Sequence, residues 1–277
     1  MKKLLSAGFS RLKKDIVFWA CVAAILLYAV VTMLNGCRQA QTTQMQEYGY
    51  GLDHYYYSYC LPIGLFCSVF TCIYLSTEYR DGTVRNKVIA GHTRTEIYLS
   101  GLIVSFAATL FMLLASLAGG LVGIPFIGSW QSVPRLAVYL LISVLNAAAF
   151  AAISTFISML FSYKAVSQTL TILAFLGLLV WAGTISAALQ EPEMTSNIIL
   201  SMGEGMQLGE PTPNPKYVSG ALRDVYEFLV DFLPTGQCLQ MYELNIARPL
   251  RVMLSSLGIT AGMTAAGIFI FRKKNLN

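Results

Sequence analysis

Six apolar runs dominate the chain, each close to the roughly 20 residues needed to cross a bilayer about 30 Å thick. They fall at about 16–34, 59–77, 96–121, 135–161, 169–189 and 252–271. Inside lipid no water is present to satisfy backbone N–H and C=O groups, so segments of this length must be helical. The expected fold is an all-α integral membrane protein with six transmembrane helices, forming one transmembrane domain over residues 1–277. No room is left for a separate soluble catalytic domain: only 12% of residues are charged, about half the ~25% usual in soluble domains.

The charges sit in short connections and set the orientation. With the N-terminus inside, the inner segments hold 13 of the 19 Lys and Arg residues, as the positive-inside bias requires. Both termini and the connection between the second and third spans are then expected in the cytoplasm, with the chain in the cytoplasmic membrane. The net charge of +5 follows from this topology and does not call for a nucleic-acid partner. Residues 1–15 alternate Leu4, Leu5, Phe9 and Leu12 with Lys2, Lys3, Arg11, Lys13 and Lys14. That is the pattern of a basic amphipathic helix lying on an anionic leaflet, with membrane lipid as its partner. A basic start before an apolar run also suits a signal peptide, but no small-residue cleavage site clearly follows, so the first span is expected to be retained. Tyr55, Tyr56, Tyr57 and Tyr59 read as an interfacial aromatic belt at the head of the second span, and Trp130 as an interfacial residue of the next outer loop.

The most informative polar stretch is 78–100, EYRDGTVRNKVIAGHTRTEIYLS. Asp81-Gly82 is a turn signal, and 83–90 then forms a short helix stopped by Gly91 in a left-handed cap. Val84 and Val88 share one face, with Arg85, Asn86 and Lys87 on the remainder. Thr93 and Glu96 have capping-box spacing at the start of the third span. The candidate site residues are Glu78, Arg80, Gly82, Thr83, Arg85, Asn86, Lys87, Gly91 and Arg94. The competing reading is an ordinary solvated loop.

The segment 190–251 carries EPTPNPKY and eight of the 14 acidic residues. Within it Leu222, Val225, Phe228, Leu229 and Phe232 recur at helical spacing until Pro234 and Gly236. This helix is too short and too charged to span, so it should lie on the outer surface or dip against the bundle. Asn146, near the middle of the fourth span, is either interhelical glue or a pathway contact.

Several chemistries find no residues to carry them. No G-x-x-x-x-G-K-[ST], H-E-x-x-H or G-x-S-x-G motif occurs, so no catalytic residue is assigned. His54 and His92 fall on opposite sides of the membrane, and the six cysteines show no C-x-x-C spacing, so no metal site is expected. Cys37 and Cys238 share the outer side, which fits either a disulfide or two free thiols.

Taken together, the basic N-terminal helix, E-Y-R-D-G-T-V-R-N-K-V-I-A-G-H-T-R-T-E-I-Y, N-P-K-Y-V-S-G, L-P-T-G-Q and the tail F-R-K-K-N-L resemble a known family. It is the permease subunit of ABC-2 type ATP-binding cassette exporters, in the form common in Gram-positive bacteria. The resemblance implies that the stretch after span two is a coupling helix docking on a separate ABC ATPase, present in two copies. It also implies short outer re-entrant helices before the last span and a second permease subunit, identical or sister. ATP and Mg would be held by the ATPase, with no cofactor bound and no enzymatic activity in this chain. The exported substrate would be an antimicrobial peptide, drug or lipid. Two other readings stay open: an ATP-independent transporter or channel, and a non-transporting membrane sensor or scaffold.

Overall fold

The structure, a computed structural model, describes residues 1–41, 55–123, 133–161, 164–195, 198–201, 205–208 and 211–274. Among the described residues, six helices are long and apolar enough to cross a membrane, at Ile16–Gln39, Tyr57–Arg80, Arg94–Gly123, Leu136–Leu160, Ala165–Gln190 and Pro249–Lys273. In chain order the helices are α1 (Lys2–Lys14), α2 (Ile16–Gln41), α3 (Cys60–Arg80), α4 (Thr83–Ile89), α5 (Arg94–Gly120), α6 (Val133–Leu160), α7 (Lys164–Gln190), α8 (Gly220–Phe232), α9 (Pro234–Tyr242) and α10 (Pro249–Lys273). The chain is an all-α multi-pass membrane protein, with two short antiparallel ladders after α7. In these ladders β1 (Met194–Thr195) pairs with β4 (Thr212–Pro213), and β2 (Ile198–Ser201) with β3 (Gly205–Leu208).

Helix α10 runs along α6, α2 along α5, and α3 is held between α6 and α7. Small residues permit the closest approaches. Gly64 of α3 lies beneath Phe150 and Phe175, and Gly267 of α10 lies against the Tyr98 ring of α5, where a Cβ would collide. Short polar side chains bond across the same seams: Ser68 with Ser154 at 3.2 Å, Cys72 to Thr171 at 3.1 Å, and Thr109 to Cys67 at 3.0 Å. Each such bond contributes about 0.6–2 kcal/mol in a membrane interior. Between helices as apolar as the lipid around them, these contacts and shape fit hold the bundle.

Two sequence expectations are corrected here and one open pair of readings is decided. Tyr56, Tyr57 and Tyr59 do not form an interfacial belt but are buried between helices. The Tyr57 ring meets Tyr139 at 5.0 Å, and Tyr59 shares a 2.9 Å hydroxyl contact with Ser143, so protein supplies the polar partner that a headgroup would have given. Helix α1 does not turn its apolar face to lipid: Leu4 and Leu12 are buried against the bundle, beside α5, while its lysines are exposed. Of the two readings for Cys37 and Cys238, the structure has the two free thiols: both are buried, and Cys238 points at Asn146 Oδ1 at 3.8 Å. The expectations for Trp130 and His54 lie outside the described residues.

The segment before α10 enters the bundle by two helices in sequence. Leu222, Val225 and Phe228 of α8 leave half their surface exposed, while Val230 and Asp231 face inward. Leu233 breaks the helix in an extended conformation, and Pro234 starts α9 at a position where its missing N–H costs nothing. Most of α9 is buried within the bundle. Gly236 allows the tight turn, because any Cβ there would come within 2.5 Å of the Val230 carbonyl oxygen.

Candidate functional site

Helix α4 is a seven-residue helix at the end of the bundle where Met1 and Lys274 lie. Its length is about 10 Å. Gly82 precedes it at φ 67° and Gly91 follows at φ 87°, conformations that a side chain would strain. At the C-terminal end the Gly91 N–H donates to Val88 O at 3.0 Å and the His92 N–H to Lys87 O at 3.1 Å, the two bonds of a Schellman stop. The Thr83 hydroxyl bonds Glu78 O at 2.9 Å, closing the turn from α3. Helix α5 then starts at once on the expected capping box, with Glu96 N–H donating to Thr93 Oγ1 at 3.2 Å and Thr93 N–H to Glu96 Oε2 at 3.1 Å. The terminal amine of Met1 lies 3.1 Å from Glu96 Oε1, so α1 is tied to this junction as well.

Beneath α4 sits Glu78, only 6% exposed. The Lys87 ammonium donates to both of its carboxylate oxygens at 2.8 Å, and an Arg11 nitrogen lies 3.0 Å away. Arg11 also donates to Tyr74 O at 2.6 Å and stacks over that ring at 4.1 Å, while the Tyr74 hydroxyl bonds Gly8 O at 3.0 Å. One carboxylate therefore joins α1, α3 and α4, and two cations offset the desolvation of the third charge.

The candidate residues divide by direction. Lys87 is engaged with Glu78. Arg94 turns to the end of α10, donating to Phe271 O at 3.3 Å, to Arg272 O at 2.9 Å and to Lys274 O. These carbonyls are orphans at a helix C-terminus, and a cation suits them. Arg80, Arg85, Asn86 and Gly91 face outward, with Arg80 paired to Asp81 at 3.0 Å. Gly82 and Thr83 shape the turn. The residue that sequence reasoning missed is Ile89, 74% exposed at the tip of α4. Its signal was available: it follows Arg85 by four positions and so shares the polar face, apart from Val84 and Val88.

The tail completes this end. Lys274 donates to Met159 O at 2.9 Å and lies 4.5 Å from the centre of the Tyr79 ring, whose hydroxyl bonds the same carbonyl at 3.2 Å. Burial lowers the Lys274 pKa to about 8.

Asn146 lies elsewhere, within the α6 span. Its amide donates to Pro234 O and Gln237 Oε1, both at 2.9 Å, and Ser256 donates to the same Gln237 oxygen at 2.6 Å. Asn146 thus joins α6 to the buried α9, with α10 bonded into the network.

The result is a rigid, outward-facing knob whose supports reach α1, α3, α5 and α10. No curated protein matches the chain significantly. A family model described as ABC-2 family transporter protein matches residues 4–188, which include most of α1 and the whole of α4 and its supports on α3 and α5. The chain belongs to this ABC-2 family, the membrane-spanning permease components of ABC transporters.

Proposed function

We propose that the chain is the permease subunit of an ATP-driven exporter and that α4 docks into a separate ABC ATPase. The carrying observation is α4 itself: a short helix fixed by two positive-φ glycines, presenting Ile89, Arg85 and Asn86 outward while Lys87 anchors it to Glu78. Ile89 supplies apolar area for a partner pocket, and Arg85 suits a carboxylate or backbone carbonyl at its rim. Two ATPase copies hold ATP and Mg, and their closure moves the α4 helices of two permease subunits, identical or sister, around a shared pathway. The exporter sits in the cytoplasmic membrane with both termini in the cytoplasm, which agrees with the clustering of Lys and Arg at the α4 end. Its substrate is an amphiphile, such as an antimicrobial peptide, drug or lipid.

The reading is tested by purifying the tagged full chain from its native host and measuring the ABC ATPase that is recovered with it. Arg85→Glu should lower recovery of the ATPase at least tenfold while the permease keeps its melting temperature. Full recovery and full transport in that variant would remove α4 as the docking element, and substrate flux in liposomes holding this chain alone would remove the ATP-driven reading.

A further inference from the structure

A cavity of about 260 Å3 lies at the end of the bundle away from α4, where the last turn of α7, helices α8 and α9, and the connection into α10 meet. Its wall carries three carboxylates, Glu227, Asp231 and Glu243, against two guanidiniums, Arg223 and Arg248. Both guanidiniums are already engaged. Arg223 lies 3.4 Å from Glu227 and 5.3 Å over the Tyr217 ring, and Arg248 lies 2.6 Å from Glu227 and 3.9 Å from Asp231. Asp231 is buried, accepts from Gln240 at 3.0 Å and is served from behind the wall by Arg251 at 3.4 Å.

Glu243 is left over. Its carboxylate oxygens accept the buried Ser186 hydroxyl at 3.2 and 3.3 Å, and among the described residues no Lys or Arg nitrogen comes within 4.0 Å of them. A half-buried carboxylate without a counter-ion favours an incoming cation. The backbone favours the same sign, because α7 and α9 both end at this cavity and helix C-termini carry partial negative charge. The rest of the polar wall is amide: Gln190, Gln240 and Asn245. The Gln190 nitrogen donates to Ser186 Oγ at 3.4 Å and the Gln240 nitrogen to Asp231 at 3.0 Å, which leaves their carbonyl oxygens as acceptors.

We propose that this cavity binds a primary ammonium carried on a short aliphatic stem, with Glu243 as its counter-ion. An ammonium presents three N–H donors and no acceptor, which matches a carboxylate beside amide oxygens. Leu189 and Val230 supply apolar wall for the stem. The carboxylates are not arranged for a metal ion: among the described residues no three His, Cys, Asp or Glu side chains are grouped to hold one. The volume lies below the ~300–1,000 Å3 of drug-sized pockets and suits an amine of a few carbons. The same chemistry can arrive as a free alkylamine or as a lysine side chain. The site stands on its own residues and does not rest on α4 docking an ATPase.

The test uses the full chain in nanodiscs of phosphatidylcholine, whose headgroup has no N–H donor, with empty nanodiscs as the blank. Butylammonium should bind about tenfold more tightly than 1-butanol, its uncharged isostere, and than tetramethylammonium, which has the charge without the donors. Glu243→Gln, which keeps the side-chain shape, should erase both margins without moving the melting temperature. A second measurement needs no variant. With a water-soluble carbodiimide, bound butylamine should be coupled as an amide at Glu243 ahead of the exposed Asp224 and Glu193, read by peptide mass spectrometry. Nα-acetyl-lysine amide separates the sources: affinity equal to that of butylammonium names a lysine side chain, and weaker binding names the free amine. Unchanged affinity in Glu243→Gln, equal binding of butanol or tetramethylammonium, or coupling at Asp224 or Glu193 before Glu243 overturns the proposal.

Discussion

The Lys87 ammonium lies 2.8 Å from each carboxylate oxygen of Glu78, and Arg11 reaches the same group at 3.0 Å. Removing the carboxylate would leave two cations facing each other across a buried position. Glu78→Gln should therefore destabilise the protein by about 3 kcal/mol, the order expected for breaking a buried ion pair. Thermal unfolding in detergent reads this directly. The double variant Glu78→Gln, Lys87→Gln should lose less than the sum of the single losses, and simple additivity would show that the pair carries no coupling.

Ile89 offers a separate measurement, because it is exposed rather than part of this chain's own core and lies on the face proposed to meet the ATPase. Ile89→Ala should weaken ATPase binding about tenfold, equivalent to ~1.4 kcal/mol, with an unchanged melting temperature. Normal affinity in the variant would move the contact to Arg85 and Asn86.

Backbone shape can be probed without touching any contact. A Cβ at Gly91 would meet nothing within 4 Å, yet the residue sits at φ 87°. Gly91→Ala should cost about 1 kcal/mol through strain alone, and Gly91→Asn less, since Asn tolerates the left-handed region. Equal stability of all three proteins would mean that the Schellman stop is not needed to end α4.

For Lys274 the folded pKa of about 8 lies below its ordinary 10.5. The docked tail therefore sheds its proton before the free tail does. Docking should strengthen as pH rises from about 8 to 10.5 and stay flat below that window. Hydrogen exchange in the last turn of α10, corrected for the intrinsic rate, follows it. Lys274→Met should flatten the profile, whereas weakening with rising pH would show that the ammonium is held by attraction.

Helix α4 and its neighbour were legible because their signals are local. Asp81-Gly82, Gly91 and the Thr93–Glu96 box act within a few residues, and the structure differs only in ending α4 at Ile89. The partners of its side chains were not legible, because they come from distant segments. Arg94 meets carbonyls of residues 271–274 and Glu78 meets Arg11, distances in sequence that no spacing rule covers. The tyrosines at 56–59 misled for a related reason. An aromatic with a hydroxyl suits a headgroup region and a hydrogen-bonded interior equally well, and only Ser143 and Tyr139 on α6 decide between them. Residues 190–251 revealed α8 through its periodicity, while α9, with PTGQCLQMY, has too little amphipathic pattern to announce burial on nearly every side.

Arg94 gives the bundle a mechanical property. Its guanidinium stands at the first turn of α5 and grips the final carbonyls of α10, so the two helix ends cannot rotate independently. A force applied at α4 passes through Gly91 and Thr93 into both spans at once. The third and last spans meet at that junction, so a stroke delivered there by the proposed ATPase would be converted from a local push into a torque shared across the helical assembly.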